Sequence, residues 1–480
     1  MSEASGRRLV GGVVWGMGGA AGQAVFQMLV FIVLARALSP GAFGVVAIAT
    51  AVIDLLNYIG RGGITEVLVQ RRELDPRTMN AGFVASVISG SVLTLGLAAM
   101  APVFARAFAT PELTPVMIAL SPICVLYSAG AVYEGILRHA FQFKQLALRN
   151  TTATIVSGLM ALGMALGGMG VYALVAQRLV ATVWSLAAMA VATRWRPSLD
   201  FDTREIASQL KQGSAIALSS LLGAGNQRIV DLVVGFFLGP VKLGYLRIAW
   251  RMLDLLNDIV VRPIANVSLS SLPRARHEGR SVEDAYLHLM RYTSIFIVPM
   301  FLGFSVVAPD IVPLVFGAQW QTSAQLLSIL CFIGLFVPLV SFKSNVLIAL
   351  SAYRHVFYLN LLEFTLSVGC ALAFAPFGLM SATVGYVVRA ALVVPLAFIY
   401  LERVGGISYR RSLRAAVPAS GAALVMLLAT YAVGRELGPG LAPALRVGVL
   451  VCVGALAYAA ALLIADRKLV VEASRLRARA

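Results

Sequence analysis

Apolar residues run along this chain in blocks of about twenty or more, each closed by a short cluster of proline, glycine or charge. A helix of about 20 apolar residues crosses a bilayer. Fourteen blocks reach that length, at approximately 9–36, 42–69, 78–101, 113–137, 146–167, 170–193, 206–237, 241–270, 285–308, 321–350, 354–375, 379–401, 412–434 and 444–465. The expected fold is an all-α integral membrane protein with about fourteen transmembrane helices. The second and eighth blocks are long and interrupted by Gly62-Gly63 and Pro263, which predicts bends there. The first block is too long for a signal-peptide core and reads as an uncleaved span.

The pattern contains a repeat. Residues 38–59 align with 238–259 in register, and 10 of the 22 positions are identical, including Pro40/Pro240, Gly44/Gly244, Asp54/Asp254 and Asn57/Asn257. Span 1 therefore corresponds to span 7. An offset of six spans leaves both copies pointing the same way, so the halves are parallel repeats about an axis along the membrane normal. The predicted organisation is a six-helix lobe at 1–195, a linker at 196–204 and a second six-helix lobe at 205–402. Two further helices follow within 403–466, then a basic tail at 467–480.

Composition agrees. Of 480 residues, 59% are hydrophobic and 13% charged, and the mean hydropathy is +0.85. That apolar surface needs lipid around it. The net charge of +17 comes from 34 Arg and 5 Lys. They cluster between alternate spans, as at Arg71-Arg72, Arg194-Arg196 and Arg410-Arg411, while the loops at 167–170, 309–320 and 375–379 carry none. This is the positive-inside pattern, and it places both termini in the cytoplasm rather than implying nucleic acid as a partner.

Candidate chemistry lies inside the spans. Arg247, Arg251, Asp254, Asp258 and Arg262 share one face of span 8, an arc of about 80°. Each such charge costs roughly 2.5–3.5 kcal/mol at a bilayer centre, so the face must meet water or protein. Two readings stand side by side: contact with a ligand, or pairing within the helix, Arg251 with Asp254 and Asp258 with Arg262. Span 7 adds Asn226, Gln227, Arg228 and Asp231, with Arg228 and Asp231 spaced to pair. Asp54 and Asp254, common to both repeats, fit a scaffold role. Arg178, Lys343 and Arg389 read as single packing charges. A cationic cavity suits an anion, and arginine suits phosphate through its bidentate fork. Carboxylates that could carry a coupling ion include Asp54, Glu134, Asp231, Asp254, Asp258 and Glu363.

Enzyme signatures are missing: no glycine precedes a lysine, so there is no Walker A loop, and there is no HExxH or GxSxG. Cys124, Cys331, Cys370 and Cys452, and His139, His277, His288 and His355, have no metal-ligand spacing. No metal or cofactor is expected. Asp200-Phe201-Asp202 has the DxD form of metal-dependent glycosyltransferases, but three residues in a polar linker are a weak signal.

The runs LARALSPGAFGVVAIA at 34–49, ILRHAFQFKQLALRN at 136–150 and GMGVYALVAQRLV at 168–180, with the repeated Leu-x-Pro-x-x-x-Gly at 38–44 and 238–244, are shared motifs. In these the chain resembles the polysaccharide transporter (Wzx-type flippase) family of the multidrug/oligosaccharidyl-lipid/polysaccharide exporter superfamily. The resemblance implies a V-shaped, two-lobed carrier in the bacterial cytoplasmic membrane. It would move undecaprenyl-diphosphate-linked oligosaccharides between leaflets by alternating access, with coupling to an H+ or Na+ gradient as a further expectation. The implied partners are membrane lipid, the lipid-linked glycan and other polysaccharide-assembly proteins. The implied cavity cations fall on Arg228, Arg247 and Arg251. The alternatives are a multidrug or metabolite exporter of the same superfamily and, further off, a membrane polysaccharide polymerase or ligase.

Overall fold

The computed structural model describes residues 22–261, 281–437 and 441–465, and among these there are helices and no strands. The helices are α1 Gly22–Ala37, α2 Pro40–Arg61, α3 Ile64–Gln70, α4 Pro76–Ala107, α5 Leu113–Leu120, α6 Pro122–His139, α7 Phe143–Leu166, α8 Val171–Thr193 and α9 Thr203–Leu256. A π-helical turn, Asn257–Val261, ends this stretch. There follow α10 Val282–Phe316, α11 Gln321–Leu330, α12 Val337–Val340, α13 Lys343–Ala349, α14 Tyr353–Phe374, α15 Leu379–Gly405, α16 Tyr409–Glu436 and α17 Pro443–Ala465.

Among the described residues, ten helices are long and apolar enough to cross a membrane, or eleven if the pair Ala318–Leu335 and Val337–Ala349, bent by 49°, is one span. The fourteen sequence-predicted spans differ from these at identifiable places. α1 is short over its described length. α7 is helical but carries Lys144, Arg149 and Asn150. Spans 7 and 8 run together as α9 with no loop between them, but they are two helices that meet at a kink, where Gly239 (φ 78°, ψ 173°) is non-helical and Pro240 follows. Pro263 and Arg262 lie outside the described residues.

Two compact units divide the chain, residues 1–244 and 245–480. In the first, α6 is the hub and touches α2, α3, α4, α5, α7 and α8. Its small residues Ser128, Ala129, Gly130 and Ala131 are buried and let neighbouring backbones approach. In the second, Tyr286, Phe342 and Phe398 form a core. The buried Tyr286 hydroxyl donates to the Leu339 carbonyl at 2.7 Å. α16 and α17 pack on α10, where Tyr458 Oη donates to the Ile295 carbonyl at 2.8 Å.

The repeated motif has a reciprocal structure. α2 starts with Ser39 as N-cap, its Oγ accepting from the Ala42 amide at 3.3 Å, and Pro40 in the first turn. The second copy restarts its helix at Pro240 after Gly239. A Cβ on Gly44 would lie 1.7 Å from the Pro240 carbonyl oxygen, and one on Gly244 would lie 1.9 Å from the Pro40 carbonyl oxygen. Each glycine thus aims a Cα hydrogen at the other motif's proline carbonyl, a pair of Cα–H···O contacts that only glycine allows.

α2 ends where its two glycines take left-handed conformations, Gly62 at φ 53° and Gly63 at φ 67°, so the bend expected there is present. The start of α9 closes on it. A Cβ on Gly213 would sit 1.7 Å from the Gly62 carbonyl oxygen. Arg71 pairs with Glu205, and Gln209 Nε2 donates to the Thr78 carbonyl at 2.9 Å.

The segment linking α8 to α9 is bound to the same face. Trp195 packs edge-on against Tyr133 and Phe83, with centroids 5.4 and 5.8 Å away. Asn80, 3% exposed, clamps it: Nδ2 donates to Ser198 Oγ at 2.6 Å and to the Asp200 carbonyl at 2.9 Å. Asn80 Oδ1 accepts from the Ser198 amide at 3.0 Å. The DxD acids have structural partners here. Asp200 pairs with Arg77 at 3.3 Å, and Asp202 Oδ1 accepts from the Arg204 amide at 2.8 Å at the head of α9.

Candidate functional site

Cations of the first unit converge from several helices. Asp54, on α2, accepts from Arg228 Nε of α9 at 3.0 Å and from Arg178 Nη2 of α8 at 3.4 Å. Arg228 reaches back to Asp231 at 3.5 Å, the pairing its spacing predicts, and Asp231 is fully buried. Glu134 of α6 gathers a second set. Arg61 Nη2 is at 2.9 Å, Arg138 at 2.5 Å and Arg149 of α7 at 3.7 Å. The Arg61 guanidinium also lies over the Tyr127 ring, 5.3 Å from its centroid.

These groups surround two cavities. The first, of about 300 Å³, is lined by Asp54, Asn57, Tyr58, Arg61, Tyr127, Arg178, Thr182 and Arg228 among others. The second, of about 180 Å³, shares Arg61, Tyr127, Arg178 and Thr182 and adds Glu134, Arg149, Asn150 and Ser185. The charged lining of the first is three arginines and one aspartate. Asn57 is 7% exposed, and its Oδ1 has no hydrogen-bond partner among the described residues. A buried amide in that position can turn to offer its NH2 to an anion.

Of the cations the sequence assigns to a ligand, Arg228 lies at this site, and so does Asp54. Arg247 and Arg251 belong to the second unit, half-buried on the last turns of α9. There Arg251 is within electrostatic reach of Asp254, Asp258 and Arg247, and Asp258 sits exposed in the π-helical turn. Lys343 and Arg389, read from sequence as single packing charges, share Glu363 at 2.6 and 3.7 Å.

Sequence reasoning missed Arg61, Arg149 and Arg178 as members of the site. A signal was available. None has a carboxylate three or four residues away on its own helix, and neither does Asp54 a cation. Lone charges inside apolar helices have to find partners on other helices.

Residues 33–325 match the model of the family described as "Polysaccharide biosynthesis protein". The chain belongs to that family. The succinoglycan biosynthesis transport protein ExoT of Rhizobium meliloti (strain 1021) is 24% identical over 311 residues, 65% of this chain and 63% of that protein. The match thus spans just under two thirds of that relative's length. The lipopolysaccharide biosynthesis protein WzxC of Escherichia coli (strain K12) is 22% identical over 467 residues, covering 92% of this chain and 91% of the relative. Among solved structures, the lipid II flippase MurJ in an inward closed conformation superposes with a TM-score of 0.78 at 13% identity, covering 95% of this chain and 100% of that one. An inward-facing multidrug MATE transporter gives 0.66 at 18% identity, covering 80% and 95%. This member of the polysaccharide biosynthesis family is a multi-pass membrane protein with the fold of those transporters.

Proposed function

We propose that the protein is a flippase that carries undecaprenyl-diphosphate-linked oligosaccharide units across the bacterial cytoplasmic membrane by alternating access, supplying the assembly of a surface polysaccharide. The observation that carries this reading is the net charge of the larger cavity. Arg61, Arg178 and Arg228 line it with Asp54, and with the ion-paired neighbours included Arg61, Arg138, Arg149, Arg178 and Arg228 stand against Asp54, Glu134 and Asp231, an excess of two positive charges for a group with two negative phosphates. Arginine forks bind phosphate oxygens bidentately, and Asn57 adds a buried amide. Before cargo arrives, Asp54 holds Arg178 and Arg228 in place, so the diphosphate replaces or joins a carboxylate at guanidiniums already aimed together.

In the second unit Arg247 and Arg251 are half-buried on an apolar helix, which suits an anion passing along it. Coupling to an H+ or Na+ gradient is assigned to the carboxylates Asp54, Asp231, Asp254 and Asp258, of which Asp54 lines the cavity. A cavity for cationic drugs would need acids facing it, whereas this one presents an excess of arginine.

The test is deletion of the gene in its host, followed by analysis of lipid-linked sugars and surface glycan. The expected result is accumulation of diphosphate-linked units and loss of the glycan. Complementation by the Arg61→Ala/Arg178→Ala/Arg228→Ala protein should fail although it reaches the membrane, and Lys at the same positions should restore part of the export. Full export by the triple alanine variant refutes the site. Unchanged glycan after deletion refutes the function.

A further inference from the structure

The second unit holds a charge cluster that the proposed transport site does not use. Lys343 of α13 and Arg389 of α15 share one carboxylate, Glu363 of α14. Lys343 Nζ lies 2.6 Å from Glu363, whereas Arg389 Nη2 stands 3.7 Å away, too far for a hydrogen bond. The three side chains are 11–15% exposed, and α14 and α15 are long and apolar enough to cross a membrane. Two cations against one acid leave a charge of +1. Among the described residues no other carboxylate pairs with either cation.

Hydrogen-bond donors are in excess as well. Arg389 Nε is buried and has no partner among the described residues. The other contacts of this guanidinium are loose: Nη1 is 3.5 Å from the Tyr386 hydroxyl, and its carbon is 5.3 Å from the centre of that ring. Tyr386 packs edge-on against Trp250 of α9, with centroids 4.4 Å apart. Trp250 is 5% exposed, and its Nε1 also has no partner among the described residues. Glu363, Ser367 and Cys370 are spaced by four and three, along one face of α14. Arg389 is close to Glu363 and within electrostatic reach of Cys370. Ser367 falls between those two, is 1% exposed, and has a hydroxyl without a partner among the described residues.

We infer that this cluster binds one small monovalent anion of the halide class, held by Arg389 and Ser367 beside Lys343. The inference goes beyond the flippase reading and does not depend on it. A buried cation without a full counter-charge is costly in a span surrounded by lipid. Buried donors without acceptors add to that cost. A halide answers both demands, because it accepts from several donors at once and cancels the charge. Water would accept hydrogen bonds but leave the charge standing. A phosphate group carries more charge than the cluster lacks and more bulk than side chains this enclosed admit.

The test is thermal unfolding of the purified protein in nanodiscs across a chloride series, with gluconate holding the ionic strength constant. Gluconate has the same charge and is too large for the site. A ligand of the folded state raises the melting temperature with its concentration. The wild type is expected to gain about 2–3 °C at a hundredfold excess of chloride over its dissociation constant. The Arg61→Ala/Arg178→Ala/Arg228→Ala protein should keep this gain, since its changes lie in the first unit. Arg389→Gln leaves Lys343 balanced by Glu363 and should lose it. Glu363→Gln raises the cluster to +2 and should reach the same gain at several-fold lower chloride, an effect that a purely structural ion cluster would not produce. Should Arg389→Gln fail to fold, Glu363→Gln carries the test alone. Equal melting of the wild type in chloride and gluconate, as with water alone in the cluster, overturns the inference. So does loss of the gain in the triple alanine protein or in Glu363→Gln, or its full retention in Arg389→Gln.

Discussion

Replacing Gly44 by alanine should open the reciprocal contact between the repeated motifs. The added Cβ would lie 1.7 Å from the Pro240 carbonyl oxygen, whereas a carbon normally stands about 3.3 Å from an oxygen in such contacts. The backbones must therefore part by roughly 1.5 Å. Overpacking of this kind costs about 1–3 kcal/mol, and the lost Cα–H···O contact removes a further ~0.5–1 kcal/mol. A closed arrangement destabilised by a total of about 1.5–4 kcal/mol is depopulated roughly ten- to several-hundredfold. Val45 follows Gly44 and is 1% exposed, so Val45→Cys, in a background with Cys124, Cys331, Cys370 and Cys452 replaced, reports the opening. Its maleimide labelling rate in nanodiscs should rise at least tenfold on adding Gly44→Ala. Gly244→Ala should act alike, since its Cβ would meet the Pro40 carbonyl at 1.9 Å. Gly96, whose Cβ would meet nothing within 4 Å, is the control, and its alanine variant should label like the parent. Equal labelling of the Gly44 and Gly96 variants would refute the reasoning.

Three further outcomes follow from the packing. Asn80→Ala removes the clamp on the segment between α8 and α9, at a cost of about 1–3 kcal/mol, and trypsin should then cut after Arg194 several-fold faster; an unchanged cutting rate would show that Trp195 alone holds it. A double-mutant cycle on Asp54→Ala and Arg228→Ala, read by thermal unfolding, should give a coupling of about 0.5–3 kcal/mol, whereas additive losses would contradict the 3.0 Å contact. Tyr286→Phe should lower stability by about 0.5–1.5 kcal/mol through its lost bond to the Leu339 carbonyl, and an unchanged melting temperature would count against that bond.

The membrane fold was legible because lipid imposes one strong rule, that backbone polar groups be satisfied within the span. Runs of apolar residues therefore announce themselves. The division between spans 7 and 8 was legible from Gly239-Pro240, where the structure has a kink between two helices with no loop between them. The site was half legible. Arg228 and Asp231 declared themselves by spacing on one helix. Asp54 was visible, but its partners Arg178 and Arg228 lie on α8 and α9, and sequence periodicity says nothing about which faces of different helices meet. Arg149 drew no notice for the same reason, as its acid, Glu134, is on another helix.

The exchange between Pro40 and Gly244 on one side and Pro240 and Gly44 on the other has the form of an isologous dimer contact, in which each partner offers the same donor and acceptor to the other. Here both partners are on one chain. A half-length ancestor that paired with a second copy of itself would have made this contact from a single motif, and fusion would have preserved it without redesign. Both glycines have since answered to one shared constraint: either can drift only if the carbonyl facing it withdraws. The motif's persistence two hundred residues apart is then a record of ancestry kept by steric necessity.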